Sequence, residues 1–255
     1  MTSGPALFTR FAYPPNSLGY CGPVDTAVLG ELIAAGDEAS GELREATAAF
    51  AGAWPYLQLI ARATGHDPLD ATVVEAYWIG NHLLGQVDLL TWGNSSDDRF
   101  RSRAGWDWDK VGDALNCGGV PNHAFHVFCV YPWVGLLRSG VVDQALHVLD
   151  RCRIRWGRVL ENAGDGRVLA SSAPLAWDGA RLHLGGERVE LVSVSIDPRA
   201  AAVVPGDHVA LHWDYVCDRI SARQLAFLQR NHNLHLTIAN GHGTRLRSRL
   251  ESWVG

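Results

Sequence analysis

Over roughly the first 160 positions, apolar residues recur at three- and four-residue spacing, the pattern of helices that bury one stripe. In "VDTAVLGELIAAG", Val24, Ala27, Val28 and Leu32 share a face, and Gly36 is placed to end the helix in a left-handed cap. "GELREATAAF" follows, then "PYLQLIARATG", where Pro55 suits a first turn because the amide it lacks would have no intrahelical partner there. "DATVVEAYWIGNHLLGQV" opens on Asp70, an N-cap candidate, and sets Val74, Tyr77, Trp78 and Leu84 near one stripe. "DQALHVLDRCRIRWGRVLENAG" carries the helical pattern on through Ala145, Leu149, Cys152, Trp156 and Val159. Two stretches interrupt it. "YPPNSLGYCGP", with Pro14-Pro15 and Gly22-Pro23, reads as rigid and non-helical, and residues 92 to 110, polar and glycine-bearing with three tryptophans, read as a long surface loop.

From about residue 164 the period shortens to two. Short alternating runs are broken by Asp178-Gly179 and Gly185-Gly186, both hairpin punctuation, and Ser221 with Gln224 fits a capping box before a last helix. A single strand through "GDHVALHWDYVCDRIS" places Val209, Leu211, Trp213, Tyr215 and Cys217 on one face and His208, His212, Asp214 and Asp218 on the other. The whole pattern predicts an α+β chain, an N-terminal helical domain over 1–163 followed over 164–255 by a small β-barrel with a C-terminal helix.

Composition narrows the function. The chain has 255 residues, is 47% hydrophobic and carries a net charge of −5 from 22 basic and 27 acidic residues, so it predicts a packed globular protein without the basic stripe of a nucleic-acid binder. No apolar run reaches the roughly 18 residues of a membrane span, and the N-terminus lacks the charged head and apolar core of a signal peptide. Five scattered cysteines without a C-x-x-C pair argue against a disulfide framework and for a reducing cytoplasm. A phosphate loop, a nucleophile elbow and a dinucleotide fingerprint are all missing, which disfavours kinases, α/β-hydrolases and nicotinamide dehydrogenases.

Four stretches carry candidate chemistry, each with a duller structural alternative. His212 and Asp214, two apart on a strand, point the same way, so the carboxylate could orient the imidazole as a base; the same face could instead meet solvent or the helical body through hydrogen bonds. His123, His126 and Cys129 recur every three residues as a helical stripe able to offer zinc or iron two imidazoles, or simply to lie satisfied in an aromatic core, and Pro132 would end or kink that helix beside Tyr131 and Trp133. Glu75 and His82, seven apart, lie on one helical face and with His123 and His126 could compose a metal pocket, or a buried polar network. Cys21 just precedes a helix N-terminus, where the dipole would favour a nucleophilic thiolate; a packing plug explains that segment equally well. Iron, nickel and zinc are the transition metals these donors admit.

Over residues 165 to 238, the run Pro205, Gly206, Asp207, Val209 and His212 with the helix after it resembles the small nickel–iron hydrogenase maturation chaperones of the HypC/HupF kind. The resemblance implies an OB-like barrel with a terminal helix. In "FAYPPNSLGYCGP", "VVEAYWIGN", "HVFCVYPWVGLL" and "HWDYVCDR" the whole chain resembles an uncharacterised actinobacterial family associated with hydrogenase gene clusters. The chaperones begin their barrel at an N-terminal cysteine that helps hold an iron fragment; here the corresponding strand, around Arg167 to Ala170, is internal and has none, whereas His212 matches a chaperone histidine. The resemblance implies an accessory or assembly factor whose partner is a hydrogenase subunit or maturation protein, or a metal-centre precursor. The alternative is a small-molecule enzyme with His212, Asp214, His126, His82 and Tyr131 lining a pocket where the two parts meet.

Overall fold

The computed structural model describes residues 2–22, 26–35, 41–100, 108–197 and 200–241. Pro23, Gly36 and residues 101–107 of the expected loop lie outside them.

The helical part contains α1 (Gly4–Ser17), α2 (Thr26–Ala35), α3 (Gly41–Ala48), α4 (Trp54–Thr64), α5 (Ala71–Trp78), a 3-10 turn over His82–Gln86, α6 (Leu89–Phe100), α7 (Trp108–Asn116), α8 (His123–Phe125) continuing into a π turn over His126–Val130, α9 (Trp133–Arg138) and α10 (Val142–Cys152). Asp70 caps α5 through the Thr72 amide, and Pro55 stands in the first turn of α4. Gly80, at φ +100°, lies just past the end of α5, and a Cβ there would stand 1.8 Å from Asn231 Nδ2, so glycine is required on both counts.

Several local expectations give way. Pro14 and Pro15 lie inside α1, near its end, rather than in a non-helical segment. Two helices take up much of the expected loop over 92–110; α6 starts there because Asp88 Oδ1 accepts the Thr91 amide at 2.8 Å. The helix expected to run on from α10 stops at Cys152. Arg153 turns extended (φ −66°, ψ 145°), and Arg155 to Gly164 form a strand. Gly157, a poor helix former, was the local sign of that change.

The strands are β1 (Arg155–Gly164), β2 (Arg167–Ser172), β3 (Leu175–Trp177), β4 (Leu182–Leu184), β5 (Arg188–Ser193), β6 (His208–His212) and β7 (Tyr215–Arg219). Five of them close a barrel in the order β1-β2-β5-β7-β6, with β5 and β7 parallel, an OB-like arrangement. Closure falls on β1, where Gly157 pairs with Ser172 on one side and Val209 on the other; a Cβ on Gly157 would stand 2.9 Å from the Ser171 carbonyl oxygen. Val159, Val168, Ala170, Val192, Val209, Leu211 and Val216 fill the interior. Each large aliphatic chain so buried contributes about 1.5–3 kcal/mol. Asp178-Gly179 turns the β3–β4 hairpin as expected, but Gly185-Gly186 joins β4 to β5, which do not pair. The barrel therefore begins at Arg155, and the stretch Arg167 to Ala170 belongs to its second strand.

The barrel and the helices share one core. Ala210, Cys217 and Ile220 pack in the same apolar cluster as Phe8, Phe11, Tyr77 and Trp78. The buried Arg10 of α1 joins them electrostatically, its Nε 2.8 Å from Asp197 and its Nη1 3.3 Å from Asp218. The last helix, α11 (Ala222–Ala239), has the full Ser221–Gln224 capping box and returns to the helical part, where Gln224 donates to Glu75 at 2.6 Å.

Candidate functional site at the seam

The seam chemistry starts with a missing amide. A residue four places after Phe11 would normally donate to the Phe11 carbonyl, but that residue is Pro15, which has no N–H. The orphaned carbonyl accepts instead from His212 Nδ1 at 2.7 Å. A carbonyl can only accept, so Nδ1 holds the proton and Nε2 keeps its lone pair. Nε2 is buried with no hydrogen-bond partner. Burial, then the neighbouring His123 and Arg155 on the unfavourable side, hold the imidazole well below its usual pKa, hence neutral.

His123 stands opposite, with ring centroids 5.3 Å apart. One nitrogen, Nε2, lies 2.8 Å from the Cys152 carbonyl, and Nδ1 lies 3.2 Å from the Tyr77 hydroxyl. A carbonyl only accepts, so Nε2 donates to Cys152 and Nδ1, which keeps the lone pair, accepts from the Tyr77 hydroxyl. Burial lowers its pKa to about 4. Cys152, the last residue of α10, completes the group: one ligand atom each from His123, Cys152 and His212 all lie within 4.8 Å of one another. Burial raises the Cys152 thiol pKa, so it is protonated when nothing is bound. Trp78 braces both imidazoles, at 4.6 Å from His123 and 5.7 Å from His212, and stacks on Phe11 at 5.4 Å.

A cavity of about 340 Å³ lies beside this group, walled by both parts of the chain. The π turn shapes one side. Its extra residue makes the Tyr131 amide bond back to the His126 carbonyl at 2.9 Å and sets the two rings edge to face at 4.4 Å, both on the wall. His126 Nδ1 is 3.0 Å from the Tyr56 hydroxyl.

Of the residues expected to act, His123, His126, Tyr131, His212 and Cys21 all line this cavity. The rest do not. Asp214 does not share a strand face with His212, because the expected single strand is a hairpin. Trp213, at φ +53°, and Asp214 form its turn, and Asp214 is exposed and pairs with Arg151 at 2.9 Å. Glu75 and His82 share no helical face, because α5 ends at Trp78; His82 is exposed on the 3-10 turn, while Glu75 accepts from Asn81 and Gln224 on another side of α5. Cys129, in the π turn itself, packs against the core. The expected thiolate at Cys21 is corrected: burial raises its pKa to about 12. Missed in the sequence were the Phe11 carbonyl that orients His212, announced by Pro15, and Cys152, whose place before β1 was hidden by the helical pattern running through it.

Among the described residues no helix is long and apolar enough to cross a membrane. No curated protein and no solved structure matches the chain. A family model does match, over residues 1–246, and on that match the chain belongs to the family of unknown function DUF6390.

Proposed function

We propose that the protein is an accessory factor of metal-centre assembly, comparable to the hydrogenase maturation chaperones it resembles, which holds a soft transition-metal ion or metal-centre precursor between Cys152, His212 and His123. The observation that carries this reading is the start of the barrel. With β1 at Arg155, the cysteine just before the first barrel strand is Cys152, and it faces His212 across the seam. A thiol and two neutral imidazoles are a borderline-soft donor set suited to iron, nickel or zinc. The buried, partnerless His212 Nε2 fits such a guest, since an unpaired buried polar atom is otherwise destabilising.

The chain's own groups have separate tasks. The Phe11 carbonyl fixes the His212 tautomer, the Cys152 carbonyl fixes that of His123, whose Nδ1 gives up the Tyr77 hydroxyl to become a ligand, and the Cys152 thiol releases a proton to become another. When bound, the metal supplies open coordination positions for the centre under assembly. A carrier must also dock its recipient. The outer face of the barrel offers an apolar strip for this purpose, with Leu160 on β1 and Val189 and Leu191 on β5 all exposed.

Chelator-treated protein titrated with Co²⁺ as the probe is expected to bind one equivalent and develop thiolate-to-cobalt absorption. C152S should abolish that band and weaken binding by at least about 100-fold, while C117S should retain both. A wild type without the band, or a band that survives C152S, refutes the metal assignment. Separately, capture from the native host should recover hydrogenase or maturation subunits and fail with Leu191→Asp. Recovery of none of these by the wild type counts against the assembly role.

A further inference from the structure

The cavity is larger than a metal ion needs, and its walls have a chemistry of their own. A volume of about 340 Å³ falls at the small end of the range of ligand sites, roughly 300–1,000 Å³. Among the described residues none of the side chains lining it is an Asp, Glu, Lys or Arg, and two of its histidines, His123 and His212, are held neutral by burial. The nearby Arg155 is already neutralised by Glu190, so an ionised guest would lose its hydration there without gaining a counter-charge, an expensive exchange. The walls are largely aromatic. Phe50, Trp78, Tyr131, Trp133 and Trp213 all contribute rings, and Tyr20 packs on Trp213 at 4.3 Å between centroids. Rings arranged in this way favour a flat aromatic guest that meets them face to face or edge to face.

Gly52 marks where a polar group of the guest belongs. A Cβ at this position would stand 3.4 Å from His126 Nε2 and 3.9 Å from the Tyr131 hydroxyl, so glycine keeps the approach to both open from the cavity wall. His126 is itself held by Tyr56, and the π turn sets Tyr131 beside it.

From these features we infer that the cavity binds a neutral, planar aromatic molecule bearing one hydroxyl group, with its rings among Trp78, Trp133 and Trp213 and its hydroxyl toward His126 and Tyr131. This site goes beyond metal holding and does not depend on it. A guest so placed lies beside the His123–Cys152–His212 group and shields it from water.

The test uses the full chain after chelator treatment, with 2-naphthol as the probe and tryptophan fluorescence and calorimetry as readouts. Saturable one-to-one binding is expected, with 2-naphthoate, the charged analogue, and decanol, the flexible aliphatic one, each at least tenfold weaker. Val148→Phe, which places a ring in the cavity, should weaken 2-naphthol binding at least tenfold; Gly52→Val should do the same if the phenylalanine variant does not fold. No saturable binding, naphthoate or decanol binding as well as naphthol, or unchanged affinity in folded Val148→Phe or Gly52→Val, each overturns the inference. Because the metal is removed beforehand, this result is independent of the Co²⁺ titration: either can fail while the other stands.

Discussion

Lowering the pH from 6.5 to 5 is expected to remove about 3 kcal/mol of folding stability through His232 and His235 alone. Both lie on the buried face of α11, and each pKa is lowered from 6.5 to about 3. For His232 the cause is burial first and then the Arg153 guanidinium, whose Nη1 lies 3.3 Å from Nε2, so that Nε2 must accept. The other His232 nitrogen faces Asn233, and the Phe128 and Trp156 rings pack around it with His235 close enough to lower its pKa further. For His235 the cause is again burial, with Nε2 accepting the Val120 amide at 3.2 Å. Well above pH 6.5 both rings are neutral in folded and unfolded chains and the fold is unaffected. Between 6.5 and about 3 the unfolded chain takes up protons that the folded one refuses, so stability falls by about 1.4 kcal/mol per pH unit for each ring. Against a typical total of about 5–15 kcal/mol, this is a substantial fraction to lose in mild acid. Urea unfolding at several pH values measures the slope, and His235→Gln should flatten it by about 1.4 kcal/mol per unit. An equal slope in that variant would contradict the assignment.

Glu190→Gln is expected to destabilise the fold by about 3–5 kcal/mol, because it strips the counter-charge from a buried cation. The Arg155 side chain is fully buried at the start of β1 and donates to Glu190, to the Ser172 hydroxyl and to the Trp213 carbonyl. Glu190 on β5 also takes Arg151 at 2.8 Å, so one carboxylate serves two guanidinium groups. Burial already pulls the Arg155 pKa down, and Glu190 opposes that pull. The neutral amide keeps the shape and removes the charge, which isolates the electrostatic part. The double variant Arg155→Met with Glu190→Leu should recover most of the loss, since well-packed apolar residues often replace a buried ion pair at little expense. Thermal and urea unfolding of the wild type and the two variants decide the matter; a Glu190→Gln protein within about 1 kcal/mol of wild type would show that the pair carries no such weight. Because Arg155 holds the Trp213 carbonyl next to His212, Glu190→Gln should also loosen the His212 ring.

The helices that could be recognised in advance were those whose stripe and caps agree, such as α5 behind Asp70 and α11 behind Ser221 and Gln224. The errors fell where two periods overlap or where a loop-like composition has a good cap. Cys152, Trp156 and Val159 keep helical spacing while Arg155, Gly157 and Val159 alternate, and pairing of Gly157 with both β2 and β6 settles the contest for the strand. The polar stretch after Trp92 is helical up to Phe100 because Asp88 caps it. For the site, the histidines and aromatics near Pro132 were legible as a dense, unusual string, yet their partners were not. Whether His212 meets Asp214 or Phe11 depends on a two-residue turn and on a helix more than two hundred residues away.

Residue types and spacings alone determined the order of parts, helices first and then a small barrel and a last helix, together with the dense run of histidines and aromatics before Pro132. Tertiary structure decided which of those residues meet. It set Cys152 ahead of the first barrel strand, turned His212 toward the carbonyl that Pro15 leaves open, and sent Glu75, His82 and Asp214 elsewhere. The physical reason is range: periodicity and capping act within a few residues, whereas barrel closure and the burial of α1 against β6 bring together groups that no local pattern links.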